Sequence, residues 1–106
     1  MSVEAKMSDD GKTLTVKVSG RFDISLHKAF SDSYKDKIGS ISNVIMDMAD
    51  VEYIDSSGLG MMLVLRERVG GDAAKIDIVN VSPGVEKILK TTNYDKLFNI
   101  QRSSNS

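Results

Sequence analysis

Hydrophobic residues alternate with polar ones in the first part of the chain. They occupy every second position from Val3 to Met7 and again from Leu14 to Val18. A period of two is typical of strands with one buried face, and the intervening Asp9-Asp10-Gly11 favours a turn. The pattern therefore predicts a β-hairpin as the first two elements.

After Gly20-Arg21-Phe22-Asp23 the spacing becomes helical. Leu26, Phe30 and Tyr34 recur every four residues in an otherwise polar segment. One apolar residue per turn is the pattern of an amphipathic helix, which we expect to end near Gly39.

Two further strand–helix pairs follow. The dense apolar run from Val44 to Met48 predicts a strand that is covered on both faces. A helical pattern then runs from Asp55 to Val69 and stops at Gly70-Gly71. The remaining predicted elements are a strand over Ile76–Val81, a helix opened by Pro83 and extending through Leu89, a turn over Tyr94–Phe98 and a short strand at Phe98 and Ile100.

The predicted order is β-β-α-β-α-β-α-β, which places the chain in the α/β class. Strands that alternate with helices form right-handed crossovers and a mostly parallel sheet, and the hairpin makes the sheet mixed. We expect residues 1–106 to form a single domain with a polar tail from about residue 102. Functional sites in such sheets favour the carboxyl ends of strands, where the segment from Asp55 to Gly60 lies.

Composition excludes several classes of function. The 14 basic and 15 acidic residues give a net charge of −1, which argues against nucleic acid as a partner. Without cysteine and with His27 as the single histidine, the sequence predicts neither a metal site nor a cofactor. The N-terminal segment lacks the apolar core of a secretory signal, and no apolar run approaches the length of a membrane span. We therefore expect a cytoplasmic protein without membrane insertion.

The segment Asp55-Ser56-Ser57-Gly58-Leu59-Gly60 carries the candidate chemistry. Aspartate and serine are good helix N-caps, and a helix start that glycines leave unshielded is receptive to an anion. One interpretation is a capped helix whose two glycines allow close packing. The other is a regulated hydroxyl, meaning a phosphorylation site. A nucleotide P-loop and a Gly-x-Ser-x-Gly nucleophile elbow are excluded, because the lysine of the first and the leading glycine of the second are missing.

The stretch from Met46 to Gly60 resembles the signature of the STAS family, the sulfate-transporter and anti-sigma-factor-antagonist domains. It is most similar to the stand-alone bacterial anti-sigma factor antagonists. Gly20-Arg21-Phe22-Asp23 resembles the step that follows the family's second strand, and Val81 to Leu89 fits the remaining pattern. The resemblance covers the chain from about Leu14 to Ile100.

This resemblance implies that Ser56, directly after Asp55, is the serine that a partner kinase phosphorylates. The kinases of the family resemble histidine-kinase-type ATPases and double as anti-sigma factors, and PP2C-type phosphatases reverse the modification. The unphosphorylated antagonist binds the kinase, and the phosphorylated form is released. The resemblance also places the loop of Asp23 near Ser56 and makes Ser57, Gly58, Leu59 and Gly60 part of the switch loop.

The helix that follows contains more apolar residues than one stripe can bury. We expect Leu59, Met62 and Leu63 to face the sheet, which leaves Met61, Val64 or Leu65 at least partly exposed. Such a residue would form a docking surface beside Ser56, with Met61 and Leu65 as the candidate contacts. The alternative is a core helix that is apolar on most sides.

The leading functional hypothesis is therefore a binding module, not an enzyme, because no base is apparent near Ser56. Within this class the output could be a sigma factor or another pathway, such as biofilm or surface signalling. The alternative is a STAS domain that acts as a scaffold or binds a small ligand.

Overall fold

The computed structural model describes residues 2–103, in which five strands form one sheet in the order β1-β2-β3-β4-β5. β1 pairs antiparallel with β2, and the remaining neighbours are parallel. The predicted element order and the α/β fold with a mostly parallel sheet are confirmed. The strands are β1 (Ser2–Met7), β2 (Thr13–Phe22), β3 (Asn43–Ile54), β4 (Lys75–Val81) and β5 (Asn99–Arg102).

Three α-helices connect the parallel strands, and short 3-10 turns flank them. The helices are α1 (His27–Tyr34), α2 (Ser56–Arg68) and α3 (Pro83–Thr91), with 3-10 turns at Ile24–Leu26, Ile38–Ser40, Gly71–Ala73 and Tyr94–Lys96. Met1 and residues 104–106 of the predicted polar tail lie outside the described residues.

The helices cover one face of the sheet. In β2 the side chains of Leu14, Val16 and Val18 are fully buried, whereas the polar residues between them are half-buried. These buried side chains join residues of all three helices in one apolar cluster. The alternation predicted from the sequence therefore marks the face on which the helices pack.

The prediction that β3 is covered on both faces is wrong. Val44, Met46 and Met48 are buried, but Ile45 is only half-buried. The dense apolar run arises because an isoleucine occupies a position on the open face, where its neighbours in the sheet are Thr15 and Asp77.

α1 ends earlier than predicted, at Tyr34 rather than near Gly39. Tyr34 is the last buried residue of its stripe, and the next three residues, Lys35-Asp36-Lys37, offer the core no apolar side chain. The chain continues through the 3-10 turn over Ile38–Ser40 into β3.

Candidate functional site

Asp55 is the N-cap of α2 and lies at the carboxyl end of β3. Its backbone is extended, and its Oδ1 atom accepts a hydrogen bond from the N–H of Gly58 at 3.0 Å. The carbonyl of Asp55 accepts the N–H of Leu59, also at 3.0 Å. Among the described residues, the N–H groups of Ser56 and Ser57 have no acceptor, so the first turn presents free donors to solvent.

Ser56 is the first residue of α2 and its side chain is exposed. Its hydroxyl forms no hydrogen bond within the part of the chain that the structure describes. Ser57, the second hydroxyl of the pair, is half-buried and lines a groove between α1 and α2. The two neighbouring serines therefore differ in accessibility.

Gly58 allows the start of α2 to lie directly against the end of β2. A Cβ atom at this position would lie only 2.2 Å from the carbonyl oxygen of Phe22. The same oxygen accepts the N–H of Asp55 at 3.3 Å. Because Asp23 follows Phe22, this close approach brings the Asp23 loop next to the first turn of α2.

The Asp23 carboxylate caps its own loop. It accepts the N–H of Ser25 at 3.0 Å and also the Ser25 hydroxyl. These two hydrogen bonds, with a smaller contribution from the charge of Arg21, hold the pKa of the Asp23 carboxyl below its usual value. Two acidic side chains, those of Asp55 and of the neighbouring Asp23 loop, therefore lie near the start of α2.

Leu59 and Gly60 complete the predicted switch segment, and their surroundings differ. The Leu59 carbonyl accepts a hydrogen bond from the buried Tyr94 hydroxyl at 2.8 Å, which ties the start of α2 to the turn after α3. Burial raises the pKa of Tyr94, so this hydroxyl keeps its proton at neutral pH. A Cβ atom on Gly60 would meet nothing within 4 Å.

Of the three residues expected to be partly exposed, Val64 is exposed, whereas the prediction is wrong for Met61 and Leu65. Met61 is 6% exposed and Leu65 is fully buried. The buried stripe of α2 is Gly58, Met61, Met62 and Leu65, spaced i, i+3, i+4, i+7. Gly58 lies against the Phe22 carbonyl at the end of β2, and this contact places the same face of the helix towards the sheet. The run from Met61 to Leu65 is apolar at every position and does not reveal the phase.

The exposed apolar residues of α2 are Leu63 and Val64, at 38% and 49%. Leu63 was expected to face the sheet and does not, because the buried stripe of α2 passes through Met61, Met62 and Leu65 instead. Val64 lies on the wall of the groove between α1 and α2, which has a volume of about 410 Å³. Ile24, 66% exposed, lies on the same groove at the start of the loop before α1.

The sequence did not identify Ile24 as part of this surface. Its neighbourhood gave one usable signal, because Ile24 precedes the α1 stripe by two positions and is therefore off the buried face. His27 and Arg68 also line the groove, at the start of α1 and the end of α2.

The family model that matches this chain is the STAS domain, over residues 4–106. The chain belongs to the STAS family. A STAS-domain containing protein of Pseudomonas aeruginosa is 41% identical to this STAS domain over 100 residues, which cover 94% of the chain and 99% of the relative.

Solved structures of anti-sigma factor antagonists share the fold of this STAS domain. The antagonist from Mycobacterium paratuberculosis aligns with a TM-score of 0.76 at 22% identity, over 98% of this chain and 87% of that one. The Bacillus protein SpoIIAA has been solved in its phosphorylated form, which aligns with a TM-score of 0.72 at 18% identity, over 93% and 90% of the two chains.

The residues that the structure describes include neither a metal-binding cluster nor a membrane-spanning helix. Within residues 2–103, no three histidine, cysteine, aspartate or glutamate side chains are grouped so that they could hold a metal ion. None of the helices described is long and apolar enough to cross a membrane.

Proposed function

We propose that this STAS domain is a phospho-regulated anti-sigma factor antagonist in a partner-switching pathway. Its unphosphorylated form binds a serine kinase of the histidine-kinase-like ATPase type that acts as an anti-sigma factor. Phosphorylation of Ser56 releases this partner, and a PP2C-type phosphatase restores binding. The observation that carries the proposal is the exposed Ser56 hydroxyl at the first position of α2, which forms no hydrogen bond with any other residue of the range 2–103.

A phosphate on Ser56 would add about −1.5 to −2 charge at neutral pH. The free N–H groups of the first turn favour this charge, but the carboxylates of Asp55 and Asp23 oppose it. Arg21, near the end of β2, is the basic residue next to the Asp23 loop. Its guanidinium stacks over the Tyr53 ring at 4.9 Å and lies 3.9 Å from the Asp23 carboxylate. We therefore expect little change in the fold and a large change in what the surface can bind.

Phosphorylation of Ser56 would act mainly on the stability of the complex with the partner. A surface shaped around a neutral hydroxyl loses about 3–5 kcal/mol when it meets an uncompensated dianion, which weakens binding by roughly two to four decades. The residues available for contact beside Ser56 are Ile24 and Val64, the exposed apolar side chains of the groove. Val64 is one of the residues expected to be exposed, Ile24 is an addition, and Met61 and Leu65 are too buried to take part.

In this proposal the protein acts in the cytoplasm as a binding module and not as an enzyme. Nucleophilic catalysis at Ser56 would need a base within hydrogen-bond distance. Among the described residues no side chain forms a hydrogen bond with the Ser56 hydroxyl.

A ligand-binding role is the second candidate, and the groove favours it. Its volume of about 410 Å³ lies within the range of small-molecule sites, and Arg68 and His27 add polar groups to an apolar wall. In this case the ligand would modulate the output, whether a sigma factor or another pathway. Unlike the phosphorylation switch, this role does not require the Ser56 hydroxyl, so Ser56→Ala would retain it.

The acceptor is tested by incubating the protein with ATP and an extract of its source cells. We expect a single addition of about 80 Da, the mass of one phosphoryl group, located at Ser56 by fragment spectra. Ser57→Ala is the matched control and should be modified like the wild type. Modification of Ser57 in place of Ser56 would contradict the assignment.

The switch is tested by capturing partners from the same extract on immobilised variants. Ser56→Ala should retain the kinase, whereas Ser56→Asp should retain at least tenfold less, because it carries part of the charge of a phosphate. Equal capture by both variants would exclude an electrostatic switch at this position.

A further inference from the structure

β1 lies at one edge of the sheet, and its backbone orientation can be derived from the hairpin. The N–H of Ser8 donates to the carbonyl of Thr13, so this pair is hydrogen-bonded across the strands. Because hydrogen-bonded and non-hydrogen-bonded pairs alternate in an antiparallel ladder, Lys6 and Glu4 also bond to β2. The N–H and C=O groups of Val3, Ala5 and Met7 therefore point away from the sheet.

We propose that this edge pairs with β1 of a second copy of the chain, antiparallel and centred on Ala5. A two-fold axis perpendicular to the sheet keeps the helices of both copies on the same side. Facing residues must share a face of the sheet, so the axis passes through one residue of β1, which then faces its own copy. Ala5 is that residue, because an axis at Glu4 or Lys6 would place a charged side chain opposite its own copy. An axis nearer either end of the strand would pair fewer residues.

The side chains of β1 are complementary in this register. Val3 faces Met7 of the second copy, and both are apolar residues that already pack partly against the core. Glu4 faces Lys6 of the second copy at a non-hydrogen-bonded pair, where facing side chains are closest. The two-fold axis repeats this pair, so each interface contains two oppositely charged pairs.

Within residues 2–103, neither Glu4 nor Lys6 forms an ion pair, since neither lies within 4.0 Å of an opposite charge. In β2, Glu4 lies opposite Lys17 and Lys6 lies opposite Thr15. The charge of Glu4 is attracted to that of Lys17, whereas the residue opposite Lys6 is uncharged. Pairing with a second copy places an acid beside Lys6.

β1 lacks several features that protect an edge strand, and its two charged residues, Glu4 and Lys6, are of opposite sign and so can pair with a second copy. It is six residues long, contains no proline and pairs with β2 in a continuous register. β5, at the opposite edge, is four residues long and its pairing with β4 is interrupted between Ile78 and Val81. The geometry thus favours β1 over β5 as the edge that joins two copies.

The test is sedimentation equilibrium of the full chain, with any affinity tag removed, at concentrations from about 10 μM to 1 mM, where small interfaces associate. We expect the average mass to rise from the monomer value of 11.6 kDa towards twice that value. Lys6→Glu should weaken association about tenfold or more, because two attractive pairs become repulsive. Exchanging both charges, Glu4→Lys with Lys6→Glu, should restore it to within about threefold.

Ala5→Pro provides a second, backbone-directed variant. The Ala5 N–H points away from β2, so proline removes a bond to the second copy but none of the β1–β2 ladder. Association should be lost while the thermal unfolding remains cooperative. A monomer mass throughout the concentration range, or Lys6→Glu and the charge exchange associating equally, would overturn the proposal. These outcomes leave the role of Ser56 untouched, since β1 shares no residue with the switch segment.

Discussion

At the scale of single residues, Gly58 and Gly60 lie two positions apart in α2 but in different surroundings. Gly58 is buried against the Phe22 carbonyl, where a Cβ atom would lie 2.2 Å from the oxygen. At Gly60 a Cβ atom has open space. The first glycine is required by packing, while the second leaves room in the groove between α1 and α2.

Alanine at each position should separate these roles. Gly60→Ala should stabilise the protein by about 0.5–1 kcal/mol, because alanine favours the helix and meets no obstacle. Gly58→Ala should destabilise it by about 2 kcal/mol or more, because α2 must move away from β2. Urea unfolding of both variants measures the difference. Equal stabilities would show that the contact with Phe22 yields without cost.

In the proposed switch, Asp55 serves the fold and its neighbour Ser56 serves the function. The Asp55 carboxylate is occupied by the N–H of Gly58, whereas the Ser56 hydroxyl is free of intramolecular hydrogen bonds within residues 2–103. Changing Asp55 therefore alters the helix start itself. Changing Ser56 alters the surface that a partner meets, which is why the proposed tests are confined to Ser56 and Ser57.

At the scale of elements, the phase of α2 decides which apolar residues are available to a partner. Val64 and Leu65 are adjacent, yet Val64 is 49% exposed and Leu65 is fully buried. The phase follows from the close approach at Gly58 to the end of β2.

Lysine at these two positions provides a matched comparison. Val64→Lys should change the free energy of unfolding by less than about 1 kcal/mol and weaken partner binding by more than about 1 kcal/mol. Leu65→Lys should cost about 4 kcal/mol or more, since a buried ammonium has no partner there. Thermal melts and titrations with the captured partner report the two effects. A large loss of stability for Val64→Lys would remove it from the docking surface.

In α1, Asp32 links two lysines on the exposed side of the helix. Its carboxylate lies 2.7 Å from the Nζ of Lys28 and 2.8 Å from that of Lys35. Hydrogen bonds from these two lysines lower the pKa of Asp32 to about 2. A carboxyl whose pKa is lower in the folded than in the unfolded protein stabilises the fold at any pH above its unfolded-state pKa. This contribution is lost as the pH falls from about 4 to 2.

Asp32→Asn should therefore reduce the pH dependence of the melting temperature in this acidic range. The wild type should lose stability between about pH 4 and pH 2 more steeply than the variant, and the two should converge at the acidic end. Differential scanning calorimetry at several pH values measures the slopes. Parallel curves would indicate that the ion pairs on α1 do not contribute to stability.

At the scale of the whole molecule, the sheet has one covered face and one open face. Met46 is fully buried beneath the helices, while the adjacent Ile45 is half-buried on the other side. The core therefore lies between the sheet and the three helices.

Substituting threonine for Met46 and for Ile45 should show that the two faces of the sheet differ in burial. Met46→Thr should destabilise the protein by about 3 kcal/mol, because it leaves a cavity and buries a hydroxyl. Ile45→Thr should cost less than about 1.5 kcal/mol, because threonine favours a strand and its hydroxyl can reach solvent. Chemical denaturation compares them. Similar losses would mean that the open face is covered in solution.

The sequence by itself determined the element order and the buried face of β2. Alternation and fourfold spacing carry this information because burial of one face imposes a period on the chain. The same reasoning located the start of α2, since Asp55 has the capping chemistry that a helix N-terminus needs. It also singled out Ser56, the residue after the cap and the one that the family resemblance marked.

Tertiary structure alone decided the phase of α2, the extent of α1 and the open face of β3. Met61, Leu63 and Leu65 are similar in hydrophobicity, so no local pattern distinguishes those that enter the core. The distinction comes from a contact between residues distant in sequence, the Phe22 carbonyl against Gly58. Ile45 likewise continues an apolar run although the sheet has no helix over its side. A residue's own chemistry sets how it can pack, but its exposure depends on the element that lies opposite.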